Sequence, residues 1–363
     1  MILILRSQVT EQERDLVLIC VRRIIRQSAL SLVEIEGRFV LALDETRIDQ
    51  EARALLTSLA AVERIVPIPT AYKLVSRHFK DAPTSVIVGD VFSSNAVTIG
   101  GTSTSTIIAG PCAVESREQI FEVATAVKAA GAHILRGGAF KPRTSPYQFQ
   151  GLGMEGLSLL AEAREMVGIP IVTEVMEPDM VETVAGYADM LQIGARNMQN
   201  YPLLQACGRQ KQKRPVLLKR GLSATIDEWL LAAEYIVAAG NPNVVLCERG
   251  IRSYDSHTRN VLDLTSVPVL KELTHLPVIV DPSHATGKST LVPIMARAST
   301  AAGSDGVIVE VHCNPDQAIC DARQAITPHQ LYRMVRDIRR LTRLYREEAV
   351  RTDSQLLALG MEV

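Results

Sequence analysis

Apolar and polar positions alternate with two different periods along residues 1–68, one of two residues and one of about 3.6 residues. Short aliphatic runs predict strands, and segments with apolar residues three or four apart predict amphipathic helices. The predicted order is strand, helix, strand, strand, helix, strand, over residues 1–5, 11–25, 31–35, 38–43, 50–62 and 64–67. This βαββαβ order indicates a ferredoxin-like domain.

Residues 69–105 interrupt the pattern. Pro69, Pro83 and the Gly-Gly-Thr-Ser-Thr-Ser run at 100–105 are typical of turns and connections. We interpret this segment as a linker that carries a short hairpin, and we expect residues 1–68 to form a domain of their own.

Eight short β-branched runs follow, separated by segments with helical periodicity. The runs lie at residues 106–109, 133–136, 170–173, 190–193, 215–218, 243–247, 277–280 and 306–309. The clearest helices lie between them, at residues 118–130, 156–167, 180–187, 225–239 and 291–302. Eight strand–helix units in this length favour a closed (β/α)8 TIM barrel over an open parallel sheet. We expect the barrel to occupy residues 106–350, its last helix to run from 328 to about 351, and a tail to follow at 351–363.

Composition and charge limit the possible partners. The chain has 363 residues, with 39 Lys and Arg against 40 Asp and Glu, and a formal net charge of −1. A chain with this balance has no net positive electrostatic field that would attract nucleic acid or an acidic membrane surface. No apolar stretch approaches the length of a membrane-spanning helix, and the six cysteines form no C-x-x-C pair. We therefore expect a cytoplasmic protein with neither nucleic acid nor membrane as a partner.

In such barrels the chemistry lies at the C-terminal ends of the strands, where basic residues recur in this sequence. Six of them are expected to converge, namely Arg136, Lys141, Arg143, Arg196, Lys219 and Arg249. Guanidinium and ammonium groups at one barrel mouth predict a site for two or more anionic groups, such as two phosphorylated substrates. Lys219 alone also allows a Schiff-base lysine, which the spacing leaves open.

Four residues of another chemistry follow strands at adjacent barrel positions: Cys112, His284, Glu310 and Asp321. A mixed set of sulfur, nitrogen and oxygen ligands suits Mn, Fe, Co or Zn better than Mg or Ca. We therefore predict one divalent metal site. His312 is a competing imidazole that spacing alone does not exclude.

Six motifs resemble a known family, in the same order and over roughly residues 105–345. They are Ala109-Gly-Pro-Cys112, Leu135-Arg-Gly-Gly-Ala-Phe-Lys-Pro-Arg-Thr-Ser-Pro-Tyr147, Gln192-Ile-Gly-Ala-Arg-Asn197, Leu217-Leu-Lys-Arg-Gly221, Leu246-Cys-Glu-Arg-Gly-Ile-Arg252 and Val280-Asp-Pro-Ser-His284. The resemblance is to 3-deoxy-D-arabino-heptulosonate 7-phosphate (DAHP) synthase of type I beta. It implies a metal-dependent barrel enzyme that condenses phosphoenolpyruvate with erythrose 4-phosphate, the first step of the shikimate pathway.

The resemblance also implies roles for individual residues. The metal ligands would be the four residues named above. The phosphoenolpyruvate contacts would be Arg136, Lys141, Arg196, Lys219 and Arg249, and the erythrose 4-phosphate contacts Pro142, Arg143 and Thr144. Lys141 is our candidate for proton transfer, and Glu174 is a second candidate near the attacking water.

Three further expectations rest on the same resemblance. The N-terminal unit is similar to a regulatory extension, which implies feedback inhibition by phenylalanine or tyrosine, and the family resemblance implies a homotetramer. The related 3-deoxy-manno-octulosonate 8-phosphate synthase is the alternative within the enzyme class, although Lys141-Pro-Arg-Thr-Ser145 resembles the signature for the four-carbon aldose. A non-catalytic scaffold that senses amino acids is the alternative from another class.

Overall fold

The structure, a computed structural model, describes residues 1–25, 32–90, 94–101, 104–143 and 145–358. Thr144, one of the expected substrate contacts, lies outside these residues. The described chain forms a four-stranded sheet, a two-stranded hairpin and a closed eight-stranded barrel. Within the same residues, no helix is both long enough and apolar enough to cross a membrane.

The N-terminal sheet has the expected ferredoxin-like topology. Its elements are β1 (Ile2–Leu5), α1 (Glu11–Ile25), β2 (Val33–Ile35), β3 (Arg38–Ala42), α2 (Gln50–Ser58) and β4 (Val62–Val66). The strands are antiparallel in the order β2-β3-β1-β4, with both helices in the crossovers. Helix α2 ends four residues before its predicted end at 62, because Leu59 adopts an extended backbone and the following residues pair with β1.

Both faces of the central strand β1 are buried. Leu3 and Leu5 pack with the helices that cover one face. Ile2 and Ile4 on the other face belong to the main core, together with Tyr72 of the linker. The linker therefore lies between the N-terminal sheet and the barrel as a packed layer.

Barrel side chains fix this linker by its backbone. The Glu234 carboxylate accepts hydrogen bonds from the amides of Leu74 and Val75, at 2.9 and 3.0 Å. The His275 ring lies 2.8 Å from the Leu74 carbonyl through Nε2, and 2.8 Å from Thr84 Oγ1 through Nδ1. Burial lowers the pKa of His275 to about 4, so the ring is neutral near pH 7.

The hairpin predicted within the linker closes the lower end of the barrel, which is the end where the barrel strands begin. Strands β5 (Ser85–Val88) and β6 (Val97–Gly100) pair in antiparallel register. Their inward side chains join an apolar cluster with residues from the barrel interior, including Ile108 and Met190. Thr106, at the start of the first barrel strand, donates to the Thr98 carbonyl.

All eight predicted barrel strands are present, and the TIM-barrel prediction is confirmed. They are β7 (Thr106–Gly110), β8 (Ile134–Arg136), β9 (Ile171–Glu174), β10 (Met190–Ile193), β11 (Val216–Lys219), β12 (Val244–Glu248), β13 (Val278–Val280) and β14 (Gly306–Glu310). Neighbours pair in parallel, and β14 closes the barrel onto β7. Five strands run one residue beyond their predicted ends, so that Glu174, Lys219 and Glu310 lie on strands rather than in loops.

The outer helices include three that the sequence analysis did not predict. The helices are α3 (Arg117–Ala129), α4 (Met154–Val167), α5 (Val181–Tyr187), α6 (Tyr201–Arg209), α7 (Ile226–Ala238), α8 (Ser266–Leu273), α9 (Pro282–Thr286), α10 (Val292–Ala301) and α11 (Pro328–Ala358). The unpredicted helices α6, α8 and α9 each carry a proline in the first turn, where the missing N–H breaks no helical hydrogen bond. Helix α11 continues to Ala358, past the predicted end at 351.

Candidate active site

The four predicted metal ligands meet at the upper end of the barrel, which is the end where the strands finish. Donor atoms of Cys112, Glu310 and Asp321 all lie within 4.8 Å of one another. His284 Nε2 lies 3.2 Å from Glu310 Oε1 and 3.9 Å from Asp321 Oδ2. Folding therefore brings together side chains that are up to 209 positions apart in the chain.

A chain of charged groups orients His284. Its Nδ1 lies 2.7 Å from Asp281 Oδ2, and Lys219 Nζ lies 2.5 Å from the same oxygen. A carboxylate on one imidazole nitrogen fixes the ring and leaves the other nitrogen free for an ion. Lys219 is thus part of an ion pair, which favours an anion-binding role over a Schiff-base nucleophile.

The donor atoms suit a bound cation. Glu310 is fully buried, and its Oε1 accepts no hydrogen bond although His284 Nε2 and Arg136 Nη2 lie 3.2 and 3.1 Å away. Burial acts to raise the pKa of Glu310, but the charges of His284 and Arg136 outweigh it and hold the pKa well below its usual range. An ionised, incompletely satisfied carboxylate oxygen inside the protein is a natural metal ligand.

The thiol of Cys112 is held in its protonated form. Its neighbour Cys320, its own burial and the Glu310 carboxylate all raise the pKa of Cys112 well above the usual value. Since a thiolate is the form that binds metal, occupation of this site would displace the thiol proton.

Asp321 reaches the cluster through an unusual backbone. Its φ of 51° and ψ of 32° lie in the left-handed region, which is uncommon for residues other than glycine. Such a conformation persists only where the surroundings hold it. The Glu115 carboxylate accepts from the Ile319 amide at 2.9 Å, and Arg259 Nη1 lies 3.4 Å from Asp321 Oδ1.

A cavity of about 280 Å³ opens beside the four ligands. Its wall includes all six predicted basic residues, and also Pro142, Glu174, His284 and Asp321. Arg136 and Lys219 make ion pairs with Glu310 and Asp281. Among the described residues, Arg143, Arg196 and Arg249 have no carboxylate within ion-pair distance, so the cavity carries positive charge that an anionic ligand would neutralise.

Lys141 and Glu174 face the same space. Lys141 Nζ donates to the Cys112 carbonyl at 3.0 Å. Burial opposes its charge, but the nearby groups of Cys112 and Glu174 outweigh burial and raise the pKa of Lys141. Glu174 Oε2 accepts from Gln192 Nε2 at 3.1 Å. A Cβ at position 194 would lie 2.1 Å from Glu174 Oε1, so a larger residue there would displace this carboxylate.

His312, the competing imidazole, lies apart from the ligand cluster. Its Nδ1 accepts from the Asn314 amide at 3.0 Å, and its Nε2 lies 3.6 Å from Glu115 Oε2. The geometry therefore favours His284 over His312 as the fourth donor.

The sequence analysis missed several residues of the site. Arg259, Gln192 and Gln148 line the cavity, and Asp281, Cys320 and Gln324 contact the predicted ligands. Asp281 stands in the quoted Val-Asp-Pro-Ser-His motif, so its position three residues before His284 was a usable signal. The positions of the other residues depend on how the loops fold over the barrel mouth, and no local sequence pattern predicts that folding.

Comparisons with known proteins agree with this geometry. The family profile described as DAHP synthetase I family matches residues 83–346. The phospho-2-dehydro-3-deoxyheptonate aldolase of Thermotoga maritima is 47% identical over 284 residues, which cover 78% of this chain and 81% of the relative. A 2-dehydro-3-deoxyphosphooctonate aldolase of Rhodopseudomonas palustris is 35% identical over 260 residues, covering 66% of this chain and 87% of the relative.

A solved structure extends the likeness to the N-terminal sheet. The crystal structure of phospho-2-dehydro-3-deoxyheptonate aldolase (DAHP synthase) from Thermotoga maritima matches with a TM-score of 0.72 and 40% identity. The match covers 95% of this chain and 97% of that one. A truncated form of 3-deoxy-D-arabino-heptulosonate 7-phosphate synthase from Thermotoga maritima covers only 76% of this chain, with a TM-score of 0.68 and 42% identity. The profile and these matches show that the chain belongs to the DAHP synthetase I family.

Proposed function

We propose that this chain condenses phosphoenolpyruvate with erythrose 4-phosphate to give DAHP and inorganic phosphate. The observation that carries this proposal is the cavity itself, in which six basic side chains lie beside four potential metal ligands. A transferase that joins two phosphorylated substrates needs such an arrangement, because charge on both phosphates and on a carboxylate must be neutralised.

The donors that would hold a divalent ion are Cys112, His284, Glu310 and Asp321. Sulfur, imidazole and carboxylate together favour Mn, Fe, Co or Zn. When bound, such an ion supplies a Lewis acid that polarises the aldehyde oxygen of erythrose 4-phosphate. The nearby Asp281 carboxylate keeps the His284 ring in position throughout.

The basic side chains bind and orient the two substrates. We assign phosphoenolpyruvate to Arg136, Lys141, Arg196, Lys219 and Arg249, which line the cavity. Erythrose 4-phosphate would contact Pro142 and Arg143, which also line the cavity, together with Thr144. Holding both substrates at fixed angles converts an encounter of two molecules into a reaction within one complex.

Lys141 and Glu174 can divide the proton transfers between them. Lys141 lines the cavity, and we assign it as the group that gives a proton to the aldehyde oxygen as C3 of phosphoenolpyruvate attacks the aldehyde carbon. Glu174, which lines the same cavity, would take a proton from the water that adds at C2. Phosphate then leaves from C2, while the arginines stabilise its charge.

Phosphate release from the two substrates tests the proposal. We expect turnover with Mn(II) that a chelator abolishes and added metal restores. Chelator-insensitive turnover would contradict the metal assignment, and the absence of turnover under all conditions would favour a non-catalytic scaffold.

The second substrate has a separate test. Replacing erythrose 4-phosphate by arabinose 5-phosphate should reduce turnover strongly, in line with the higher identity to the heptonate relative than to the octonate relative. A preference for arabinose 5-phosphate would instead favour 3-deoxy-manno-octulosonate 8-phosphate synthesis.

We also propose a regulatory role for the N-terminal domain, residues 1–68, joined through the linker at 69–105 to the catalytic barrel at 106–350. Phenylalanine or tyrosine would be the inhibitor, in a cytoplasmic homotetramer. Deletion of residues 1–68 should remove the inhibition, and inhibition that survives the deletion would contradict this role. Light scattering on the full chain tests the tetramer.

A further inference from the structure

Gln324 is a buried residue that contacts the candidate metal ligand Glu310. It follows Asp321 in a short 3₁₀ turn and is only 2% exposed. Its Nε2 donates to Glu310 Oε2 at 2.7 Å, while its Oε1 accepts from Arg259 Nη1 at 3.1 Å. From this geometry we propose that Gln324 is a positioning residue that presents Glu310 to the ion.

The two oxygens of Glu310 have different surroundings. Oε2 is occupied by the Gln324 amide, whereas Oε1 accepts no hydrogen bond and lies 3.2 Å from His284 Nε2. The hydrogen bond therefore fixes which oxygen faces the other ligands. A carboxylate held in this way would have little rotational freedom to lose when an ion binds.

The orientation of the Gln324 amide is itself determined. Arg259 can only donate hydrogen bonds, so the amide oxygen must face the guanidinium and the amide nitrogen must face Glu310. Arg259 Nη1 also lies 3.4 Å from Asp321 Oδ1. Gln324 and Arg259 together therefore connect two of the four ligands, Glu310 and Asp321. A simple packing role for Gln324 would not require these complementary partners.

This inference rests on the proposed metal site, and the test separates the two. The probe is Mn(II) alone, titrated into the metal-free full-length protein by calorimetry. Gln324→Met keeps the volume of the side chain and removes the donor. We expect the Kd for Mn(II) to rise about 10- to 100-fold, in the range that loss of an outer partner of a ligand produces.

A matched control is available in the same fold. Gln210 is equally buried and donates to the Arg214 carbonyl at 2.7 Å, on the outer layer of the barrel. Gln210→Met should leave the Kd for Mn(II) at the wild-type value. Turnover of Gln324→Met should be low at limiting Mn(II) and should recover when Mn(II) saturates, which a general loss of structure would not produce.

Gln324→Glu is the second variant, for use if thermal unfolding shows that Gln324→Met does not fold. It keeps the length of the side chain but replaces the donor with an acceptor, and we expect the same rise in Kd. A Kd within twofold of wild type in a folded variant would overturn the positioning role while the metal site stands. Wild-type protein that binds no Mn(II) would overturn the metal site and this inference together.

Discussion

The two ends of the barrel bury opposite kinds of side chain. At the lower end, Val86, Val88 and Ile99 of the hairpin complete a cluster that is entirely apolar. At the upper end, Lys219 and Glu310 are almost completely buried among other charges. Apolar burial stabilises a fold at every pH and salt concentration, whereas buried charges cost desolvation energy and are retained where function needs them. Stability and chemistry are therefore located at different ends of the same eight strands.

The largest effect is expected at the upper end. Lys141→Met should lower kcat/KM by about 10³-fold, because it removes both a buried cation and the proposed proton donor. Its free energy of unfolding should fall, because the pKa of Lys141 is raised in the folded protein, which therefore favours the charged lysine, and the Cys112 carbonyl would lose its donor. Steady-state kinetics and urea unfolding measure the two quantities. Lys128→Met, an exposed lysine of α3, is the control, and equal kinetic losses in both variants would contradict the assignment.

Substitutions at the lower end should lower stability and leave catalysis unchanged. Ile99→Ala leaves a cavity in the apolar cluster and should lower the free energy of unfolding by about 3 kcal/mol. The value of kcat should not change, because the hairpin is remote from the strand ends that carry the chemistry. Ile87→Ala is the matched control, as Ile87 lies on the same hairpin but is 43% exposed. A fall in kcat for Ile99→Ala alone would show that the two ends are coupled.

Acid should weaken the lower end through His275. Its pKa of about 4 in the folded protein is below the value near 6.5 of an unfolded chain, so the unfolded state binds more protons between these values. The contribution to stability is complete above pH 6.5 and is lost as the pH falls towards 4. By pH 4.5 the loss should reach about 2–3 kcal/mol.

His275→Asn tests this by removing the titrating ring. The difference in unfolding free energy between pH 6.5 and 4.5 should shrink in this variant relative to wild type. His257→Asn, which changes an exposed ring, should keep the wild-type dependence. Equal pH dependence in all three proteins would exclude His275 as the cause.

The smallest effect concerns the loop that carries Asp321. Glu115→Gln replaces a charged acceptor of the Ile319 amide by a neutral one, which weakens that hydrogen bond by about 1 kcal/mol. We expect the Kd for Mn(II) to rise about fivefold. Glu118→Gln, in the first turn of α3 and exposed, should leave the Kd unchanged, and an identical shift in both would indicate a general charge effect.

Local sequence patterns predicted most of the barrel because each strand is a β-branched run with a clear boundary. The misjudged boundaries have physical causes. Strand β11 includes Lys219 because that residue still pairs with Cys247, and a charged residue at a strand end resembles a loop residue in sequence. Helix α8 was missed because Pro268 resembles a helix breaker, although it lies in the first turn.

Only those site residues that lie at the ends of barrel strands or follow them could be predicted from the sequence. Residues that directly follow a strand, such as His284, are placed by the barrel topology and can be inferred from it. Arg259 reaches the cavity because its loop folds back, with the Ile251–Val261 bridge and the Arg259 amide bonded to the Thr286 carbonyl. The left-handed backbone of Asp321 likewise depends on contacts from distant segments, which no local pattern encodes.

Anomalous diffraction from crystals of the full-length protein grown with Mn(II) locates the ion directly. We expect one peak at the upper end of the barrel, about 2.0–2.4 Å from the donor atoms of Cys112, His284, Glu310 and Asp321. A protein that catalyses the condensation with no peak at these residues, or with the ion bound by His312 in place of His284, would contradict this expectation.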